Sequence, residues 1–325
     1  MRLNKISEKE FLSRLKKRRL EDLETIRVIE DFLLKKRGYV FRMPPPGSPV
    51  ILLVSGGMDS ITSWGISMEE FGLKVYPLSF DKGEKRRKKE EASLNFFSEF
   101  YSKRYPDLFV RPFKLSVDLR KISIPIEKAT KILHPQIILD NLDSRGNISL
   151  NLSLGSFTLL PFYAMLFSRY LLSTQNIKIK TIFCSVTKGD DVPSQTLTAL
   201  RITMMAMCVA SREYDWQFSS AVFEKETRLF FSKADLVSWA EEEGIPLEKT
   251  WSCYRDFRYQ CGDCIACYMR IKAFRKAGVA DRTLYLSPFA PYQQKLRFEV
   301  ARFLRSIGID PKILKALYKK IFKGA

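Results

Sequence analysis

The sequence predicts an α/β fold built on a doubly wound parallel sheet. Apolar runs that fit buried strands occur at residues 50–54, 74–80, 108–115, 179–186 and 217–223, and each is followed by a helical pattern or a longer insertion. A glycine-rich turn stands between the first run and its helix. At 325 residues and 46% hydrophobic composition, the chain can bury one sizeable core. In such a sheet, ligands bind at the carboxyl ends of the strands.

The first 48 residues precede the sheet and are rich in Lys and Arg. Their apolar residues recur near helical spacing against a charged face, which predicts an amphipathic helix. These residues are Phe11, Leu15, Leu20, Leu23, Ile26, Ile29 and Leu33. A proline-rich stretch at residues 43–49 then predicts a linker into the sheet. We therefore delimit a basic helical N-terminal extension and linker at residues 1–48.

The turn after the first strand reads Ser55-Gly56-Gly57-Met58-Asp59-Ser60. Glycines let the backbone take positive φ and approach a ligand closely. The helix that follows, with Asp59 or Ser60 as the expected N-cap, favours negative charge at its N-terminus, and the serine hydroxyls add donors. The pattern predicts a phosphate-binding turn, with a turn that holds no ligand as the alternative. No Gly-Lys-Ser/Thr closes it, so a kinase or GTPase loop is not predicted.

Four cysteines lie within fifteen residues near the other end of the chain, at Cys253, Cys261, Cys264 and Cys267. Two of the gaps are Cys-x-x-Cys steps, which predicts a closed tetrahedral zinc site, with an iron–sulfur cluster or disulfides as alternatives. The chain shows no secretory signal, so we expect a cytoplasmic protein with reduced thiols. The other two cysteines, Cys184 and Cys208, lie in apolar surroundings and are expected to be core residues or free thiols.

The two motifs together resemble a known family. SGGMDS resembles the SGGxDS loop of the PP-loop ATP pyrophosphatases, the adenine nucleotide alpha hydrolase-like superfamily. TWSCY at residues 250–254 and CGDCIAC at 261–267, followed by Arg270 and Ala273-Phe274, resemble the 7-cyano-7-deazaguanine synthase family. Further elements at residues 78–86, 232–237 and 244–247 are similar to that family as well. We therefore delimit a PP-loop domain with its zinc site at 49–278 and a basic helical C-terminal extension at 279–325.

The resemblance implies an ATP-dependent carbon–nitrogen ligase. Such an enzyme adenylates a carboxylate with release of AMP and pyrophosphate, and converts 7-carboxy-7-deazaguanine and ammonia into 7-cyano-7-deazaguanine. It implies ATP and a deazapurine carboxylate as ligands, with Mg²⁺ bound by carboxylates. The implied catalytic residues are Asp59, Ser60 and Asp190. The implied ATP-binding residues are Ser55, Gly56, Gly57, Met58, Asp59, Ser60 and Phe80. The implied Zn²⁺ ligands are the four clustered cysteines.

The middle of the chain departs from the family pattern. The nearest counterpart of the family's VPGRN segment, at residues 153–157, lacks the Arg and Asn, and residues 190–196 keep only the first Asp of the family's D-x-SGYPDCR segment. The second substrate therefore stays open. A divergent paralogue in a defence or modification system could attach a deazapurine to a protein or nucleic acid. A PP-loop tRNA-modifying enzyme is another alternative. A zinc scaffold without activity would leave the SGGMDS loop unexplained.

The formal net charge of +19 exceeds what a nucleotide site requires. The basic residues concentrate at residues 5–36, 82–89, 270–282 and 312–323. The terminal extensions could dock a protein or nucleic acid, with a solvated basic face as the alternative, because no aromatic stacking platform accompanies the charge. No apolar run is long enough to span a membrane, and a homodimer is left open. The single histidine, His134, is expected to be structural, which leaves a mechanism of positioning and electrostatics.

Overall fold

The computed structural model describes residue 3, residues 5–84, 86–117, 156–190 and 192–286, and the backbone of two short strands between residues 118 and 155. The described strands are β1 Pro49–Leu53, β2 Lys74–Asp81, β3 Phe113–Ser116, β4 Ser123–Pro125, β5 Asn147–Ser149, β6 Thr181–Cys184, β7 Gln217–Ser220, β8 Phe223–Glu224 and β9 Leu229–Phe230. The described α-helices are α1 Glu8–Lys16, α2 Leu23–Arg37, α3 Met58–Glu69, α4 Arg87–Arg104, α5 Ser156–Gln175, α6 Leu197–Ser211, α7 Lys233–Glu242 and α8 Ile265–Ala277. Single 3₁₀ turns occur at Pro193–Gln195 and Leu247–Lys249.

Seven of these strands form one sheet in the order β3-β2-β1-β6-β7-β8-β9. The first five run parallel, as predicted, and β8 and β9 add an antiparallel edge. Because β2 and β3 lie on one side of β1 while β6 and β7 lie on the other, the winding direction reverses between β1 and β6. That reversal is where ligands bind in open α/β sheets.

Helices cover both faces of the sheet because side chains alternate along its buried strands. In β1, Val50 and Leu52 share one apolar cluster with residues of α3, α4, α7 and α8. Ile51 and Leu53 point to the opposite cluster, which holds residues of α1, α2, α5 and α6. The doubly wound class predicted from the apolar runs is therefore confirmed.

Two predicted strands are wrong in extent. The run at 217–223 does not continue as one strand, because the chain turns back after Ser220 and pairs that residue antiparallel with Phe223. The run at 108–115 contributes only its end to β3, and Phe109 makes an isolated bridge to Val75. Pro112, between these pieces, has no N–H to give to a ladder.

The predicted single N-terminal helix is also wrong, because the structure has two. Ser7 caps α1 and Asp22 caps α2 by accepting from the backbone N–H of Thr25, so the chain turns between residues 17 and 22. The predicted apolar stripe is buried in the core cluster at Phe11, Leu15, Ile26, Ile29 and Leu33, whereas Leu20 is half-buried and Leu23 is exposed. Both helices thus pack against the sheet domain, and the domain boundary at residue 48 stays a prediction.

Several predicted features lie outside the described residues. These are His134, residues 153–155, Asp191 and the part of the C-terminal extension after residue 286. Within the described part of the chain, no helix combines the length and apolar character that crossing a bilayer requires.

Candidate functional site

The predicted phosphate-binding turn joins β1 to α3 and is held by its own serines. Ser55 N–H donates to Ser60 Oγ at 3.1 Å, and Ser60 Oγ donates to the Gly57 carbonyl at 3.1 Å. The N-cap of α3 is Gly57, not Asp59 or Ser60 as expected, and no side chain caps this helix. Its first-turn N–H groups therefore lack a side-chain acceptor and form a site suited to an anion.

The two glycines of the turn have different roles. Gly56 has a φ of +77°, and a Cβ there would lie 2.5 Å from the Glu90 carbonyl oxygen of α4. Gly57 has a φ of −77°, so the positive φ expected of both is found only at Gly56. The absence of a side chain at Gly56 thus lets α4 pack directly against the turn.

Asp190 lies in a second turn, Thr187 to Asp190, that follows β6. Its Oδ2 accepts from the Thr187 N–H at 2.7 Å and the Thr187 hydroxyl at 2.9 Å. Since β6 is the parallel neighbour of β1, this turn and the Ser55–Ser60 turn meet at the same edge of the sheet. The edge is the point at which the strand order reverses.

Lys233, for which the sequence predicts no role, connects the two turns. It is the first residue of α7, whose start is fixed by a capping box between Ser232 and Asp235. Its ammonium contacts Asp59 Oδ2 and lies 2.8 Å from Asp190 Oδ1. The sequence signal that could have identified it is the lysine at the start of the family-like element at residues 232–237.

Burial and the neighbouring charges shift the pKa values of Asp59 and Lys233. Burial raises the pKa of Asp59, Lys233 opposes this rise, and the charge of Asp190 adds to it. Burial alone would lower the pKa of Lys233, but Asp190 and Asp59 together raise it above its ordinary value. Lys233 is thus a stable cation at neutral pH.

Asp59 also carries an orphaned polar atom. Its Oδ1 is buried and has no hydrogen-bond partner among the described residues. A buried carboxylate oxygen without a partner is costly, so it fits a site completed by a ligand or a cation. Carboxylate oxygens are the ligands that Mg²⁺ prefers, and the donor set of Asp59 and Asp190 fits that ion.

Phe80 lies near the carboxyl end of β2, the strand next to β1. Its half-buried ring packs edge-on against Tyr163 of α5, with the centroids 6.3 Å apart. The residue therefore lies at the same edge of the sheet as the two turns. Its role in binding ATP stays a prediction.

The four clustered cysteines converge as predicted. Their Sγ atoms all lie within 4.8 Å of one another, with Cys261 and Cys267 at 3.8 Å and Cys253 and Cys264 at 4.0 Å. Ligands of a tetrahedral zinc ion with Zn–S bonds of about 2.3 Å would be about 3.8 Å apart. The cysteines are not disulfide-bonded. The donor set therefore fits a single metal ion.

Backbone N–H groups point at these sulfurs. The N–H of Cys264 lies 3.3 Å from Cys261 Sγ, that of Cys267 lies 3.5 Å from Cys264 Sγ, and that of Cys261 lies 3.4 Å from Cys253 Sγ. Such donors stabilise thiolates, which are the metal-binding form of cysteine.

The segment that carries the four cysteines is attached to the Ser55–Ser60 turn. The Trp251 N–H donates to the Gly56 carbonyl at 3.0 Å, and Ser93 Oγ donates to the same oxygen at 2.7 Å. Arg270, which is 1% exposed, holds this segment through Thr250 Oγ1 and the Leu247 carbonyl, both at 2.7 Å. A change in the metal centre can therefore reach the turn through one short stretch of chain.

The remaining two cysteines are core residues, as expected. Both are buried in the cluster that holds α5 and α6. Burial raises the pKa of Cys184 to about 12 and also raises the pKa of Cys208. Because the thiolate is the reactive form, neither residue is suited to sulfur transfer.

Comparison with known proteins finds similarity to 7-cyano-7-deazaguanine synthases. The sequence profile described as "Queuosine biosynthesis protein QueC" matches residues 164–278. A 7-cyano-7-deazaguanine synthase 2 of Desulfitobacterium hafniense (strain Y51) is 26% identical over 240 residues, covering 73% of this chain and 93% of the relative. A 7-cyano-7-deazaguanine synthase of Acetivibrio thermocellus is 27% identical over 245 residues, covering 73% and 97%.

A solved structure, the U34-tRNA thiolase NcsA of Methanococcus maripaludis, is 12% identical and covers 86% of this chain and 80% of its own, with a TM-score of 0.34. This similarity is too low to support an argument about function. The matches to the synthases span nearly the whole of those relatives and leave about a quarter of this chain outside. Together with the SGGMDS turn and the converging cysteines, they show that the chain is similar to the 7-cyano-7-deazaguanine synthases and that its sequence is divergent from theirs.

Proposed function

We propose that the protein is an ATP-dependent ligase that adenylates a carboxylate and releases AMP and pyrophosphate. The substrates are 7-carboxy-7-deazaguanine and ammonia, and the product is 7-cyano-7-deazaguanine. The observation that carries this proposal is the Asp59–Lys233–Asp190 group, which lies beside an uncapped helix N-terminus at the reversal of strand order.

The turn and Lys233 are suited to bind phosphates. The first-turn N–H groups of α3 and the Lys233 ammonium offer donors and positive charge at one edge of the sheet. Pyrophosphate gains negative charge as it leaves, so fixed donors aimed at it stabilise the transition state more than the ground state. Ser60 holds the turn in shape through its bond to the Gly57 carbonyl.

Asp59 and Asp190 would hold Mg²⁺, which when bound neutralises charge on the phosphate oxygens. In the structure, Lys233 lies between these carboxylates and compensates their charge. The cysteine quartet would hold Zn²⁺ in a structural role, since four sulfur ligands leave no open position for substrate.

A macromolecular acceptor is the second candidate. It is favoured by the departures at residues 153–157 and 190–196 and by the part of the chain that lies outside the matches to the synthases. In that case the same adenylation would attach a deazapurine to a protein or nucleic acid, as in a defence or modification system. Sulfur transfer to tRNA is disfavoured by the buried, protonated Cys184 and Cys208.

The test incubates the purified protein with Mg-ATP, ammonium and 7-carboxy-7-deazaguanine, and follows AMP, pyrophosphate and the nitrile by mass spectrometry. Free nitrile with AMP is expected. AMP without nitrile, or turnover only after a protein or RNA is added, would instead support the macromolecular acceptor. No AMP under any of these conditions would overturn the adenylation itself.

Two variants test the assigned residues. Asp59→Ala and Ser60→Ala are each expected to abolish pyrophosphate release and to leave the fold and the metal content intact. Asp31→Ala is the matched control, since Asp31 is an exposed residue of α2 whose ion pair among the described residues is with Arg27 at 3.8 Å. Pyrophosphate release at the wild-type rate in Asp59→Ala would contradict the assignment of the ATP site to this turn.

A further inference from the structure

The chain between α1 and α2 reaches the Asp190 turn. Arg18 Nη2 donates to the Asp190 carbonyl at 2.9 Å, and Nη1 lies 3.4 Å from the Thr187 carbonyl. These carbonyls belong to the first and last residues of the turn that carries the Asp190 carboxylate. A guanidinium presents its donors in a rigid plane, so it fixes the spacing between two acceptors as a lysine cannot.

Arg18 is itself held in place. Its Nε lies 3.2 Å from Glu21 Oε1, and the Glu21 carboxylate is fully buried. That carboxylate accepts from the N–H groups of Leu197 and Thr198 at 3.1 and 3.0 Å and from the Thr198 hydroxyl at 2.9 Å. Glu21 thus binds the N-terminus of α6, and Arg18 links that helix end to the Asp190 turn.

A second contact limits the movement of Arg18. Its guanidinium carbon lies 4.9 Å from the centroid of the Phe223 ring in β8. The side chain is 13% exposed, so little water competes for its donors. Arg18 is therefore in contact with three separate parts of the fold, namely Glu21, the Thr187–Asp190 turn and Phe223.

We propose that Arg18 is a positioning residue for Asp190, so that the N-terminal helical segment completes the nucleotide site. The inference rests on the proposed function, in which Asp190 helps to hold the cation. Arg18 itself touches neither the Asp190 carboxylate nor Lys233 in any described contact. It acts by fixing the backbone from which Asp190 meets Lys233.

The turn does not depend on Arg18 alone. The Lys188 N–H donates to the Phe231 carbonyl at 2.7 Å, and Thr187 bonds Asp190 within the turn. Loss of Arg18 should therefore loosen the turn and leave the fold intact. This makes the role measurable in a folded protein.

The test compares Arg18→Gln with Arg19→Gln, which removes the adjacent, exposed cation and serves as the control. Amide hydrogen exchange without nucleotide is measured first. The amides of Thr187, Lys188 and Asp190 are expected to exchange about tenfold faster in Arg18→Gln, the effect of losing roughly one charge-assisted hydrogen bond, and at the wild-type rate in Arg19→Gln. Unchanged exchange in Arg18→Gln would overturn the proposal.

Pyrophosphate release is then measured against Mg²⁺ concentration. For Arg18→Gln, the Mg²⁺ concentration at half-maximal rate is expected to rise about tenfold, with recovery of kcat at high Mg²⁺, because Asp190 is misplaced and not removed. Arg18→Lys should recover only part of this effect. Faster exchange with wild-type Mg²⁺ dependence would show that Arg18 does not position the site and would overturn the proposal.

Arg18→Gln also leaves the Glu21 carboxylate buried without its cation, which is expected to lower the stability of the folded protein. The double variant Arg18→Gln with Glu21→Gln removes both charges and is measured in parallel. If the wild-type protein releases no pyrophosphate, the proposed function fails, whereas the exchange measurement still decides whether Arg18 holds the turn.

Discussion

Gly56 is the residue that sets how closely α4 approaches the Ser55–Ser60 turn. Its φ is +77°, and its Cα faces the Glu90 carbonyl oxygen, which a Cβ would meet at 2.5 Å. Backbone atoms cannot move aside as a flexible side chain can. Gly38, at the end of α2, has a similar φ of +78° but open space around it.

Gly56→Ala is therefore expected to cost about 2–4 kcal/mol of unfolding free energy, from backbone strain together with overpacking. Gly38→Ala, the matched control, should lose about 1–2 kcal/mol of unfolding free energy, because it adds backbone strain without overpacking. Urea denaturation of both variants measures the difference. Equal losses would contradict the inferred packing of α4 on the turn.

Among the elements, the segment that carries the cysteines joins α8 to the Ser55–Ser60 turn. Cys264 is both a proposed metal ligand and the N-cap of α8, and Trp251 bonds the Gly56 carbonyl. A structural metal site contributes folding free energy, because the unfolded chain has no preformed site. Loss of the metal should thus destabilise α8 and the turn together.

Cys264→Ser is expected to lower bound zinc from about one ion per chain to near zero and to lower the melting temperature. Metal analysis and thermal unfolding with and without a chelator measure this. Cys208→Ser is the control, since this core cysteine lies apart from the quartet and its change should leave the zinc content unaltered. Full zinc content in Cys264→Ser would refute its role as a ligand.

At the scale of the whole molecule, a buried charge network ties the N-terminal helices to the sheet. Arg201 of α6 is fully buried and binds Glu224 of β8 through two hydrogen bonds of 2.8 and 2.6 Å, and its Nε lies 3.0 Å from Glu30 of α2. Glu226 lies at the edge of this group, 3.7 Å from Arg201. The network joins elements that are distant in the chain.

This network predicts how stability depends on pH. Burial and the charge of Glu224 raise the pKa of Glu226 to about 9. The folded protein therefore favours the protonated form of Glu226. The stabilisation that this gives is complete below the unfolded pKa of about 4.5 and is lost as the pH rises through 9. The unfolding free energy should therefore fall between pH 5 and pH 9, and Glu226→Gln should flatten that fall.

Glu224 contributes little to that slope. Burial alone would raise its pKa, but Arg201 prevails and lowers it to about 2, so its contribution is present above about pH 4.5 and is lost only as the pH falls toward 2. Urea denaturation at several pH values measures the slope, with Asp31→Asn as the exposed control. An unchanged slope in Glu226→Gln would contradict the assignment.

The fold class, the turn at Ser55–Ser60 and the cysteine quartet could all be predicted from the amino-acid sequence. Each of these features depends on residues that are close together in the chain, so apolar periodicity, glycines and Cys-x-x-Cys spacing predict it. The same local signals placed β1 and β2 within a residue of their observed ends.

The contacts between residues that are distant in the chain could not be predicted in this way and are visible only in the folded protein. Lys233 reaches Asp59 across 174 positions of the chain, and Arg18 reaches Asp190 across 172. The break between α1 and α2 and the reversal after Ser220 depend likewise on partners that the local pattern does not specify. Strand order and helix packing bring these groups together, and burial then makes their charges act strongly on one another.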